Sequence, residues 1–227
     1  MVEVSLTIPI YNEEKCIGRT VVELADVFEK NNIDYELVLI NHGSKDRSAE
    51  ILNKLAEKNK RMKVYNLPKN LGFGGGIMFG FSQSKGKFIG FDCADGEIPP
   101  EETFRVFLEA RKDRYDLVKG RRTHRQITLF RKFTSLIYNI LTGIRLNFKI
   151  KDLNGYPIFM RKDKYEKIKP KRSDFIFNYN LYINAKNIGY SIVEVPVKHR
   201  TRVAGISSVT LFGAAKMWWN LLEYSFS

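Results

Sequence analysis

Val4-Ser5-Leu6-Thr7-Ile8-Pro9-Ile10-Tyr11-Asn12-Glu13 begins as a β-branched, apolar run and breaks into polar residues at its end. Val4 to Ile8 reads as a strand, and Pro9 to Glu13 as the loop that leaves it. Working outward, the same unit recurs. Strand candidates at Tyr35 to Ile40, Met62 to Tyr65, Phe88 to Phe91 and Asp116 to Val118 alternate with helix-period stretches near 15–31, 46–58, 72–84 and 100–111. That alternation is the pattern of βαβ units. The expected fold class is α/β: a Rossmann-like, mostly parallel sheet flanked by helices.

Open sheets of this kind bind ligands beyond the carboxyl ends of their strands. Those positions hold Pro9-Ile10-Tyr11-Asn12-Glu13, Asn41-His42-Gly43-Ser44, Asp92-Cys93-Ala94-Asp95-Gly96-Glu97 and Gly120-Arg121-Arg122, all polar and turn-forming. Past the last strand candidate, Phe130, Phe133, Ile137, Ile140, Leu141 and Ile144 recur at helical spacing beside Arg131, Lys132 and Arg145. This basic amphipathic helix over 127–148 suits a lipid interface, and equally a helix packed on the core with solvated basic residues. Leu211, Ala215, Trp218 and Leu222, with Trp219 adjacent, leave the same two readings open.

Composition narrows the partners. The 227 residues, 44% hydrophobic and 28% charged, can bury one substantial core, so a single domain over 1–227 is expected. The 38 Lys and Arg against 25 Asp and Glu leave a charge of +13, which calls for an anionic partner such as lipid headgroups, a phosphorylated substrate or nucleic acid. No zinc-finger, helix-turn-helix or RNA-binding pattern accompanies that charge, so nucleic acid is not expected. Cys16 and Cys93 lack metal-ligand spacing, which fits a reduced, cytoplasmic setting. The chain runs straight into its first strand without the pattern of a secretory signal, and no apolar run reaches the ~20 residues that span a bilayer. A homo-oligomer is left open.

The motifs carry a resemblance. Ile8-Pro9-Ile10-Tyr11-Asn12-Glu13-Glu14 resembles the opening motif of family 2 glycosyltransferases, which have the GT-A fold. Gly43-Ser44 is similar to the end of that family's Asp-Asp-Gly-Ser motif, and Asn70-Leu71-Gly72-Phe73-Gly74-Gly75-Gly76 to its glycine-rich helix start. Ala94 to Glu101, Asp152-Leu153-Asn154-Gly155 and Gly189 to Val197 match further motifs in order. Within the family, Arg122, Arg131 and the run Arg200 to Ser208 look most like dolichyl or polyprenyl phosphate sugar synthases. The resemblance implies inverting transfer of a sugar from a nucleotide diphosphate to a lipid phosphate by a protein peripheral to the cytoplasmic membrane face. Residues 1–120 would bind the nucleotide sugar and 121–227 the acceptor.

Such a site needs a cation on the diphosphate and arginines on phosphate. The expected metal ligands, for Mg or Mn, are Asp95 and Glu97. The expected catalytic set is Asp95 with the phosphate-binding Arg122, Arg131 and Arg202. Donor contacts are expected from Pro9, Tyr11, Asn12, Glu13, Asn41, His42, Gly43, Ser44 and Gly72, and Asp152 would face the acceptor. The sequence departs from the family twice. Asn41-His42 stands where the family has two aspartates, and Cys93 where it has the first aspartate of Asp-x-Asp, while Asp92, one position earlier, should point to the opposite face. A glycosyltransferase-like binding protein with altered donor use is the alternative these changes leave open.

Overall fold

The computed structural model describes residues 2–123, 150–171 and 176–200. Along them run β1 (Val4–Ile10), α1 (Ile17–Lys30), β2 (Tyr35–His42), α2 (Ser48–Lys58), β3 (Met62–Leu67), α3 (Gly72–Gln83), β4 (Phe88–Phe91), α4 (Pro100–Arg111), β5 (Leu117–Thr123), β6 (Ile158–Arg161), α5 (Lys162–Ile168), α6 (Phe177–Asn187) and β7 (Ile192–Lys198). β2 is buried at every position, the continuous pattern of a strand covered on both faces. α1 turns Ile17, Val21, Leu24 and Phe28 inward at helical spacing. α4 starts on Pro100, whose missing N–H costs nothing in a first turn, and places Glu101 and Glu102 where the helix dipole favours negative charge.

The seven strands lie in the order β3-β2-β1-β4-β6-β5-β7. All run one way except β6, which is antiparallel to both neighbours. The sheet is therefore mixed but mostly parallel, as expected. The chain winds outward from β1 to β3, then returns to place β4 on the other side of β1. The switch point between β1 and β4 is where a doubly wound sheet opens a crevice.

Several strands run further than the sequence suggests. Pro9 and Ile10 belong to β1, and Asn41 and His42 to β2, rather than to the loops beyond. Proline is tolerated in this inner strand for a local reason. The β1–β4 pairing ends at Thr7↔Phe91, while β1–β2 continues to Ile10↔Asn41. Thr7 bonds towards β4, its carbonyl taking the Asp92 N–H. Pro9 shares that parity, so its absent N–H faces the side where β4 has already turned away.

α3 sits directly on the sheet because glycine lines its inner face. A Cβ on Gly80 would lie 2.2 Å from Thr7 Cγ2, and one on Gly76 3.2 Å from the Pro9 ring. No helix among the described residues is long and apolar enough to cross a membrane. The expected helix over 127–148 and the Trp218-Trp219 segment lie outside the described residues.

Candidate functional site

The ends of β1 and β2 are laced into one rim. Asn12, at a positive φ of 55°, donates its N–H to Ser44 Oγ at 3.0 Å and accepts the Lys45 N–H at 2.8 Å. Glu13 donates its N–H to Ser48 Oγ at 3.0 Å. Gly43 has φ +82°, and a Cβ there would press within 3.1 Å of the Lys69 and Asn70 backbone, so glycine is required. Gly72 opens α3 at this rim with its N–H on Asn70 Oδ1 at 2.7 Å. Tyr11 is exposed, its ring edge-on to that of His42 at 6.1 Å.

Asn41 departs from its expected role. It is buried, its Nδ2 donates to Asn66 Oδ1 of β3 at 2.8 Å, and Asn66 in turn donates to Asn53 of α2 at 3.2 Å. Its Oδ1 takes the Ser44 N–H at 3.4 Å. This amide ties β2 to β3 instead of facing a ligand. His42 is different. It is 5% exposed, Asn70 hydrogen-bonds its ring, and Nδ1 is buried with no partner. Burial holds the imidazole below its ordinary pKa, with Asn70 partly offsetting, so the ring favours the neutral form. An orphaned buried nitrogen costs about 1–3 kcal/mol, and this one faces α3 at Gly76, where a Cβ would lie 3.6 Å away.

Beyond β4 the two aspartates separate. Asp92 turns to the α4 face, where it accepts Thr103 Oγ1 at 2.5 Å and the Cys93 N–H at 2.8 Å. Asp95 is half-buried, and its Oδ1 accepts the Glu97 N–H at 3.1 Å. The Cys93 thiol is pushed well up by burial, reinforced by Asp95, Asp92 and Glu97, which disfavours a metal-binding thiolate. Among the described residues no group of three His, Cys, Asp or Glu is arranged to hold a metal. The hard donor set that remains, Asp95 and Glu97, fits a Mg²⁺ or Mn²⁺ ion that completes its shell with phosphate oxygens and water. It does not fit an all-protein cage.

Arg122 is not the open phosphate clamp the sequence suggests. Its Nε and Nη2 each reach one Asp152 oxygen at 2.9 Å, and its backbone N–H adds a third bond at 3.0 Å. The guanidinium also lies 5.0 Å from the Tyr156 ring centroid. Asp152 is held well below the usual carboxylate range, because this fork, with Lys119 nearby, outweighs its burial. Asp152 is thereby a poor proton acceptor. Beneath it Lys119, fully buried, donates to the Asp152 carbonyl and lies 3.3 Å from Glu194, which takes the Lys151 and Asp152 N–H groups. Arg131 and Arg202 lie outside the described residues.

Two residues of the rim, His199 and Tyr156, escaped the sequence reading, and Arg200 entered it only as the first residue of a motif run. His199 Nε2 sits 2.8 Å from Glu97 Oε2, the Tyr156 hydroxyl donates to that same oxygen at 3.1 Å, and Arg200 donates through Nε to the Gly96 carbonyl at 2.6 Å. His199 and Arg200 follow β7, so the strand-end rule that singled out the other loops would have found them. Tyr156 follows the Asp152–Gly155 turn directly, and only the β5–β6 pairing brings it here.

A family model described as glycosyl transferase family 2 matches residues 5–169. Among similar proteins, an undecaprenyl-phosphate 4-deoxy-4-formamido-L-arabinose transferase of Edwardsiella ictaluri is 32% identical over 225 residues, covering 96% of this chain and 66% of that protein. Its counterpart in Photorhabdus laumondii is 31% identical over 226 residues, covering 97% and 67%. The chain thus spans about two thirds of the length of these relatives. A solved structure of glucosyl-3-phosphoglycerate synthase from Mycobacterium tuberculosis with Mg²⁺ and uridine diphosphate superposes with a TM-score of 0.76 at 15% identity, covering 97% of this chain and 78% of that one.

Proposed function

The chain belongs to glycosyl transferase family 2, and from that premise we propose that it transfers a sugar, with inversion, from a nucleotide-diphosphate donor to a polyprenyl phosphate. One observation carries the reading. The segments at the ends of β1, β2, β4, β5 and β7 meet on one rim around the switch point, with carboxylates, a buried histidine and arginine-bearing segments side by side. The relatives named as undecaprenyl-phosphate sugar transferases support the acceptor class, and the fold neighbour crystallised with uridine diphosphate and Mg²⁺ supports a nucleotide diphosphate with a divalent cation.

In this reading Asp95 and Glu97 hold Mg²⁺ or Mn²⁺, which when bound would neutralise charge on the diphosphate leaving group. The nucleoside would be walled by Pro9, Tyr11 and the Asn12–Ser44 rim, with His42 behind them. The first turn of α3 from Gly72 adds N–H groups suited to phosphate. Residues 1–120 serve the donor and 121–227 the acceptor within one domain. Arg122, locked to Asp152, walls the acceptor side rather than closing on phosphate, and that clamping falls to Arg131 and Arg202. A phosphate monoester is itself an anionic nucleophile, so the low basicity of Asp152 is no obstacle. Orientation and leaving-group stabilisation carry the rate. The protein would act peripherally at the cytoplasmic membrane face, its positive charge drawn to anionic headgroups.

Turnover of UDP- and GDP-sugars with a short polyprenyl phosphate, with and without Mg²⁺ or Mn²⁺, tests the reading by mass spectrometry. A metal-dependent glycolipid is the expected product. No product together with no nucleotide binding by calorimetry would leave a fold that has lost its donor site.

A further inference from the structure

We propose that Lys119 and Glu194, a buried ion pair across β5 and β7, are positioning residues of the acceptor side, which together fix the turn that carries Asp152. The inference rests on the reading in which residues 121–227 receive the acceptor. It goes beyond that reading by giving a role to two residues outside the expected set.

Lys119 and Glu194 stand opposite each other in the parallel register of β5 and β7, so their side chains leave the same face of the sheet. Lys119 is fully buried and the Glu194 side chain only 13% exposed, with Nζ 3.3 Å from Oε1. The ammonium also lies 5.5 Å from the ring centroid of Tyr182 on α6. A buried ion pair seldom stabilises a fold more than neutral side chains of the same volume would. Its presence therefore points to a use other than holding the sheet together.

That use lies in the turn Asp152-Leu153-Asn154-Gly155, which precedes β6. Glu194 takes the Lys151 N–H on Oε2 at 2.8 Å and the Asp152 N–H on Oε1 at 3.0 Å. Lys119 donates to the Asp152 carbonyl, which also accepts the Gly155 N–H at 2.8 Å and so closes the turn. One ion pair thus holds the N–H and the carbonyl of Asp152, while the Arg122 fork holds its carboxylate. The turn cannot settle closer to the sheet, because a Cβ on Gly155 would collide with the Gly120 carbonyl. Lys119 and Glu194 keep it from lifting away. An acceptor phosphate on this side then meets a carboxylate already committed to Arg122. Were the turn loose, that carboxylate would leave the guanidinium and oppose the phosphate as a like charge.

The test titrates the full chain with farnesyl phosphate by calorimetry in saturating UDP and Mg²⁺, with UDP affinity and thermal unfolding measured on the same samples. Lys119→Met alone strands the Glu194 charge and should lower the unfolding temperature. The double variant Lys119→Met with Glu194→Gln keeps both volumes and removes both charges, so it should unfold near the wild-type temperature and bind UDP as wild type does. Its farnesyl phosphate affinity should nevertheless fall roughly tenfold or more, as expected when a binding group loses its fixed position. Wild-type farnesyl phosphate affinity in the double variant would overturn the proposal. So would a fall matched by an equal loss of UDP binding and a lowered unfolding temperature, which would mark the pair as a support of the fold alone. Asp152→Ala separates the two levels, because it leaves Arg122 unpaired and should itself shift farnesyl phosphate affinity. If it binds farnesyl phosphate as wild type does, or if wild type binds none, the acceptor-side reading fails and the role of the ion pair falls with it.

Discussion

Asp92 and Asp95 stand three residues apart just beyond β4 and are held in different surroundings. Asp92 is fully enclosed, and burial pushes its carboxyl up to about 7, with the bonds from Thr103 and Cys93 pulling the other way and Asp95 adding to the rise. The folded state therefore keeps a proton that the unfolded chain, titrating near ~3.9, has already released. The sign follows from linkage: the stability associated with this group is fully present below about pH 4, declines as pH rises, and is lost by about pH 7. Asp92→Asn keeps an acceptor for the Cys93 N–H and cannot titrate, so the stability difference from wild type should move in the variant's favour between pH 4.5 and 7.5. A change of roughly 2–4 kcal/mol is expected, and urea unfolding at the two pH values measures it. An identical pH slope in both proteins would place the proton elsewhere. That Asp92 faces away from the crevice was legible beforehand, from strand alternation alone. That Arg122 is tied to Asp152 was not, because the two lie 30 residues apart and only the β5–β6 pairing joins them.

At the scale of elements, α3 shows tertiary packing overriding intrinsic preference. An alanine at Gly80 gains about 1 kcal/mol of helix propensity, yet its Cβ would lie 2.2 Å from Thr7 Cγ2 and 2.7 Å from Thr7 Oγ1. The helix would have to lift off β1. Gly80→Ala should therefore destabilise by a net ~1–3 kcal/mol, read as a lower thermal midpoint, and the paired change of Thr7 to Ala should return most of it. If Gly80→Ala alone raised the midpoint, the close approach of α3 to β1 would be wrong. The four helices α1 to α4 were readable to within a few residues, and α1 and α4 bury one face of their own local pattern. The strands were readable in place but not in length, since a strand's end is set by where its neighbour stops. β6 carries no such local mark, and it alone runs against the sheet.

Across the whole molecule, a charge of +13 on 227 residues is a long-range field rather than a site. Retention on vesicles containing an anionic lipid should exceed retention on neutral vesicles and fall steeply with salt, as screening within about 10 Å at 0.1 M requires. It should also exceed retention on duplex DNA at equal salt. Equal retention on both would mean charge without lipid preference. The sequence by itself determined the alternation of strands and helices in residues 1–120, the order of the motifs and the family, because local periodicity and turn residues act over a few positions and need no partner. Only the tertiary structure decided which polar groups remain available at the rim. Asn41 and Arg122 are taken up by Asn66 and Asp152, His42 is left with an unmet nitrogen, and Glu97 is gripped by His199 and Tyr156. Those outcomes depend on which distant strands lie side by side, and hydrogen bonds and ion pairs are satisfied by neighbours in space.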